Sequence, residues 1–137
     1  MKSNYIKLLL LFFISFYSCD NVLECALGIE PEINENSVAP ALLDQNYFQL
    51  ITAEVDNAAN DNAYDYFFRI EGDIPDGIDI FFFPREIEFS GVPSETGRFN
   101  FRIFLSVERF DFDTGLYDRS PTCSNEISKN FTLEVLE

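Results

Sequence analysis

Two stretches of this 137-residue sequence gather hard oxygen donors closely enough to suggest chemistry. The first is Asp56-Asn57-Ala58-Ala59-Asn60-Asp61-Asn62, with Asp65 shortly after; the second is Asp111-Phe112-Asp113-Thr114-Gly115. Carboxylate and amide oxygens on a loop are what Ca²⁺ takes as ligands. Solvated hairpin turns use the same residue types, because Asn and Asp hydrogen-bond their own backbone and tolerate left-handed conformations. The second stretch lacks the downstream glutamate that closes a calcium loop, and Asp-Thr-Gly between Phe112 and Leu116 makes a good hairpin turn. A turn is the expectation for both, with no metal and no cofactor.

Other chemistries fall by elimination. The chain has no histidine, which excludes His-dependent triads, His–Cys dyads and His-ligated zinc. Beyond residue 18 the sole lysine is Lys129, at the start of an expected strand, so a Ser–Lys dyad would have to use it. There is no Gly-rich phosphate loop and no Cys-x-x-Cys pair. Carboxylates remain, but among 24 acids a pair at glycosidase spacing arises by chance. The expectation is a protein that is not an enzyme. The alternative is a carboxylate-based hydrolase, or an accessory subunit of an envelope enzyme, on the same fold.

Charge narrows the partners. All 24 acids lie from Asp20 onward, whereas Lys2 and Lys7 lie at the extreme N-terminus, so removing that end leaves 24 acids against seven bases, a formal charge of −17. Such a surface repels phosphate backbones, which excludes nucleic acid as a partner, and it repels anionic lipid as well. A hydrophobic content of 47% rules out a disordered acidic tail, and the length suits one domain with a core.

Lys2 and Lys7 frame an apolar run from Leu8 to Phe13, extended by Ile14, Phe16 and Tyr17. This reads as a secretory signal, and it is shorter than the roughly 20 apolar residues a membrane span needs. Directly after it, Ser18-Cys19-Asp20 resembles the lipobox of bacterial lipoproteins. The resemblance implies that the Cys19 thiol carries a diacylglycerol, that residues 1–18 are cut away, and that the new amine is acylated. Two such signals suffice for stable anchoring. The partner would then be a membrane reached through the N-terminal lipid, and the location the cell envelope, on the outer membrane. An ordinary secretory signal with a chance cysteine is the competing interpretation. Residues 19–32 are polar and acidic, with Gly28 and Pro31 as breakers, and read as a lipidated N-terminus and tether.

From residue 33 to 137 the sequence alternates. Tyr47 to Val55 is rich in aromatic and β-branched residues; Tyr64, Tyr66, Phe68 and Ile70 alternate with polar residues; Ile78, Ile80 and Phe82 follow the turn Pro75-Asp76-Gly77. Glu86 to Ser90 is a short strand. Phe99, Phe101, Ile103, Leu105 and Val107 form the longest apolar stripe, and Phe131, Leu133 and Val135 the last. Period-2 alternation predicts half-buried strands, and about seven of them with turn signals between predict an all-β, two-sheet antiparallel sandwich.

Three blocks in order carry a resemblance to the bacterial cadherin-like, Ig-fold domains: Ile74-Pro75-Asp76-Gly77-Ile78-Asp79-Ile80, Phe89-Ser90-Gly91-Val92-Pro93 and Gly97-Arg98-Phe99-Asn100-Phe101-Arg102-Ile103. Upstream, Tyr47, Ile51 and Ala53 match a further strand of that family, and Phe68 stands where its third strand usually has Trp. The resemblance implies an Ig-like sandwich over most of residues 38 to 136 and no activity, since sandwiches of this type serve many roles. The physics of the blocks is structural: Pro75 presets the turn, and Gly77 takes the positive φ that ends it.

Two features bear on binding and stability. In Phe81-Phe82-Phe83 only alternate members can face one core, and Phe67 and Phe104 also fall on the polar phase of their strands. Such an apolar patch can mark a protein or glycan contact, unless the tether or the long connection from 108 to 126 covers it. Setting aside Cys19 leaves Cys25 and Cys123, an even pair in an exported, oxidising setting. Because the first and last strands of an Ig-like sandwich commonly lie side by side, the two could bridge; two free thiols are the other possibility. Together these expectations describe a lipid-anchored envelope module with a non-catalytic binding, adhesion or structural role.

Overall fold

The computed structural model describes residues 22–119 and 121–137. The expected signal segment, residues 1–18, and the expected lipidation residue Cys19 lie outside them. A six-residue helix, α1 (Val22–Leu27), is followed by nine strands: β1 (Glu30–Ile33), β2 (Ala41–Leu42), β3 (Tyr47–Asp56), β4 (Tyr64–Gly72), β5 (Ile78–Phe83), β6 (Glu86–Gly91), β7 (Gly97–Asp111), β8 (Leu116–Asp118) and β9 (Glu126–Leu136). They form two sheets, β1-β3-β6-β5 and β2-β9-β7-β4, with β8 paired to the far end of β7. All pairs are antiparallel except β2 with β9. The first strand is thus split between the sheets, and the order of the rest is the ABED/CFG arrangement of an Ig-like sandwich.

Alternation decides which side chains meet between the sheets. Ile51, Ala53 and Val55 of β3 and Ile87 and Phe89 of β6 face Phe101, Ile103, Leu105 and Val107 of β7 and Phe131, Leu133 and Val135 of β9, all buried. Phe101 lies at the centre, with its ring 5.3 Å from Phe89 across the sandwich and 5.6 Å from Phe131 on the neighbouring strand. Phe68 packs against this core from β4. The six strands expected from alternation all form.

One expectation needs correction, and two details lie beyond what alternation could reveal. Residues 22–32, expected within the 19–32 tether, are held to the sandwich, α1 by the Cys25–Cys123 bond and β1 by its pairing with β3. Pro31, read as a breaker, is fully buried opposite Val55 in β1, an edge strand, where a residue without an N–H is tolerated. Among the described residues the two-residue β2 and three-residue β8, too short to show a period, and β1 bring the strands to nine. Within an otherwise antiparallel sandwich, the two-residue β2 runs parallel to β9.

Side chains pin the crossover between β1 and β2. Lys129, on β9, donates to the Ile33 carbonyl, to the Glu35 carbonyl at 3.0 Å and to Asn36 Oδ1 at 3.0 Å. The Glu35 carboxylate accepts from the Thr52 N–H and hydroxyl, at 2.6 and 3.1 Å. Tyr47 donates its hydroxyl to the Ala39 carbonyl at 3.0 Å, and burial pushes its pKa up to about 12. Lys129, the sole lysine beyond residue 18, is therefore occupied by these three oxygen acceptors, none of them from a serine.

Candidate interaction surface

The Asp-rich loop after β3 is built from internal hydrogen bonds. Asp61 Oδ1 accepts the Val55 N–H at 2.8 Å and the Tyr66 hydroxyl, while Oδ2 pairs with Arg85 from the β5–β6 turn. Arg85 also donates to Asn62 Oδ1 at 3.1 Å. Burial, the largest influence on Tyr66, raises its pKa to about 12. Asp56 accepts from the backbone and side chain of Asn57, at 2.8 and 3.0 Å. In the β7–β8 hairpin, Asp111 Oδ1 accepts the Asp113 N–H at 2.8 Å, and this bond holds its exposed carboxyl below the usual range. Among the described residues no group of three His, Cys, Asp or Glu side chains converges on a point where a metal would sit. The first stretch runs from the end of β3 into a short 3₁₀ helix at Asp61–Ala63, and the second closes the β7–β8 hairpin.

Cys25 and Cys123 are joined, with Cα atoms 4.5 Å apart. The bond fastens α1 to the loop before β9. A Cys123 N–H to Ile29 carbonyl bond of 2.9 Å supports the same contact. α1 therefore sits at the end of the sandwich where β1 begins and β3 finishes, and Asn57 there donates to the Gly28 carbonyl at 3.1 Å.

The outer face of the first sheet is the most distinctive surface. Its strands carry Glu30, Glu32, Glu54, Asp56, Asp79, Glu86 and Glu88 on the outward phase, and no Lys or Arg at all. Between those carboxylates stand Phe48 and Leu50 of β3 and Phe81 and Phe83 of β5. Register places them in rows: Phe48–Ser90–Asp79, Leu50–Glu88–Phe81 and Thr52–Glu86–Phe83. Phe82 points to the core side in the row of Ile51 and Ile87, yet it too is exposed, because β5 is the edge of its sheet. The three consecutive phenylalanines are 48%, 54% and 44% exposed. Neither α1 nor the connection after β7 covers them; that connection folds back as β8 against the other sheet.

The outer face of the second sheet differs in kind. Arg69 stands directly opposite Phe104, with its guanidinium 3.8 Å from the ring centroid, and Arg102 reaches the same ring at 5.8 Å. Arg102 also donates to Asn130 Oδ1 at 2.7 Å. Beside them a shallow depression of about 560 Å³ is lined by Glu71, Asn100, Arg102, Asn130 and Thr132, among others. It holds one carboxylate, which is ion-paired with Arg69. Phe67 is exposed on this face, as its polar-phase position predicted, whereas the arginines largely cover Phe104.

Fold and surface define an Ig-like β-sandwich with an acidic, aromatic sheet face. No family model matches the chain, and no curated protein matches it. Among solved structures it is similar to part of an endo-fucoidan hydrolase from glycoside hydrolase family 107, with a TM-score of 0.49 and 14% identity over 79% of this chain. The chain spans 14% of that hydrolase's length. It is also similar to titin M4, with a TM-score of 0.46 and 11% identity, covering 77% of this chain and 94% of that one. Neither likeness bears on activity.

Proposed function

We propose that this chain is a lipid-anchored module of the bacterial cell envelope, held on the outer membrane through Cys19, that acts by binding rather than catalysis. The observation that carries the binding role is the outer face of β1-β3-β6-β5, where Phe48, Phe81 and Phe83 stand exposed among carboxylates. Contiguous exposed aromatic area on a folded domain is a contact surface in waiting. A chain anchored through Cys19 enters the sandwich at the α1 end, which leaves that face clear of the attachment. Hydrolysis between two carboxyls needs both of them beside one recess. The depression by β7 and β9 offers Glu71 alone, which favours the binding role over the hydrolase.

The test uses the full chain in its own envelope. Wild type should fractionate with membranes and Cys19→Ser should not. A photo-crosslinker at position 81 should give a discrete adduct, and one at Arg98 on the opposite face should not. A soluble wild type would overturn the anchor. Equal behaviour at both crosslinking positions would overturn the docking face.

A further inference from the structure

We infer that β5 is a docking edge for an extended, cationic segment of a partner protein, which adds to the first sheet as a fifth strand. This rests on the binding role proposed for the same face and names the partner's chemistry and its mode of attachment.

The edge is unguarded. Natural sheets blunt their outer strands with lysine, proline, bulges or a covering element. Within Ile78–Phe83 there is no proline and no base, and among the described residues no strand pairs with the far side. Its outward-directed N–H and C=O groups are a template for one more strand.

The three phenylalanines say how the ligand lies. A ligand resting on the outer face would cover Phe81 and Phe83 but leave Phe82, which points to the opposite side. A strand hydrogen-bonded to the edge presents side chains to both sides at once, so a single occupant covers all three.

Charge selects the occupant. The outward phase of β1, β3, β5 and β6 is acidic without one compensating base, so its field gathers cationic segments and disfavours a second copy of this chain. On the outer side, Arg or Lys set opposite Phe81 and Phe83 would lie over the rings and point toward Glu86 and Glu88. The molecule already makes this pairing elsewhere: Arg69 is the direct cross-strand partner of Phe104, 3.8 Å from its centroid. On the inner side, apolar residues would meet Phe82. The fitting partner segment is thus about six residues long and alternates basic with apolar side chains.

The probe is a fluorescein-labelled nonapeptide alternating Arg and Val, titrated against the full chain. A second peptide carries Pro at alternate Val positions and cannot complete the ladder. The first should bind, weaken about tenfold or more between low and high salt, and slow amide exchange across residues 78–83. The Pro peptide should bind at least about tenfold more weakly. Phe81→Ser with Phe83→Ser, both at exposed positions, should abolish binding without lowering the melting temperature. Equal binding of the two peptides, or binding without amide protection, would overturn strand addition and leave the docking face standing. If the double variant leaves peptide binding unchanged, and a crosslinker at position 81 of the otherwise wild-type chain gives no adduct, the face and the strand mode both fall. A dimer that the double variant dissociates would make a second copy the occupant and overturn the cationic partner.

Discussion

Gly77 and Gly91 sit backbone to backbone where β5 leaves its turn: a Cβ on Gly77 would lie 2.0 Å from the Val92 carbonyl oxygen, and one on Gly91 2.0 Å from the Gly77 carbonyl oxygen. Both are left-handed, at φ 92° and 147°. Any larger residue must part the β5–β6 pair at its origin and strain its own backbone. Gly91→Ala should therefore lower stability by roughly 2–4 kcal/mol in urea denaturation. Gly115, with no atom within 4 Å of a Cβ, is the control and should lose only about 1 kcal/mol. Equal losses at the two sites would show that the close approach costs nothing.

The Cys25–Cys123 bond closes a loop with a sequence separation of 98. The chain-entropy model assigns about 4–5 kcal/mol to a loop of that size. Reduction should shift the denaturation midpoint by a large fraction of that, and peptide mapping without reductant should recover the two peptides linked. Free alkylation of both thiols in native protein would contradict the bond.

Calcium should leave the melting temperature unchanged. Both carboxylate oxygens of Asp61 are already engaged by Val55, Tyr66 and Arg85, and Asp111 is held by its own turn. Scans in calcium and in chelator should superimpose; a rise of several degrees in calcium would show a ligand set those bonds conceal.

Alkaline pH should destabilise the fold through two phenols. Burial raises Tyr47 and Tyr66 from 10.0 to about 12. The unfolded chain then releases those protons first, so their contribution is intact below the unfolded pKa and is lost as pH rises from about 10 towards 12. Denaturation midpoints should stay level up to that window and fall within it. Tyr47→Phe should make the fall shallower, and an unchanged slope would mean the phenol is not protected.

Intact mass of membrane-extracted protein should begin at Cys19 with acyl chains added. Unmodified protein cut at another residue would show that Ser18-Cys19 is not a lipidation site.

The strands were legible because alternation is local. Phe99 to Val107 and Phe131 to Val135 repeat every two residues, so each declares its buried side without reference to any partner. β1 was not, since Pro31 reads locally as a breaker, and only its edge position opposite Val55 makes it a strand residue. The bridge between Cys25 and Cys123 was open as a possibility in the count of cysteines, but the docking of α1 beside the last loop decided it.

Composition and spacing by themselves determined a two-sheet sandwich, its turn glycines and its lack of histidine chemistry. The run Phe81-Phe82-Phe83 announced that some aromatic area must escape the core, because no strand can bury both of its sides against one interior. Where that area lies, and among which charges, only the tertiary structure decided. Sheet order puts β5 at an edge, and register brings Glu88 between Phe81 and Leu50 and Glu86 between Phe83 and Thr52. Glu86 and Glu88 follow the phenylalanines across one tight turn, but Glu30, Glu32, Phe48 and Glu54 are far from them along the chain. These distant residues join the same surface only because pairing between distant strands, which no local pattern records, sets them side by side.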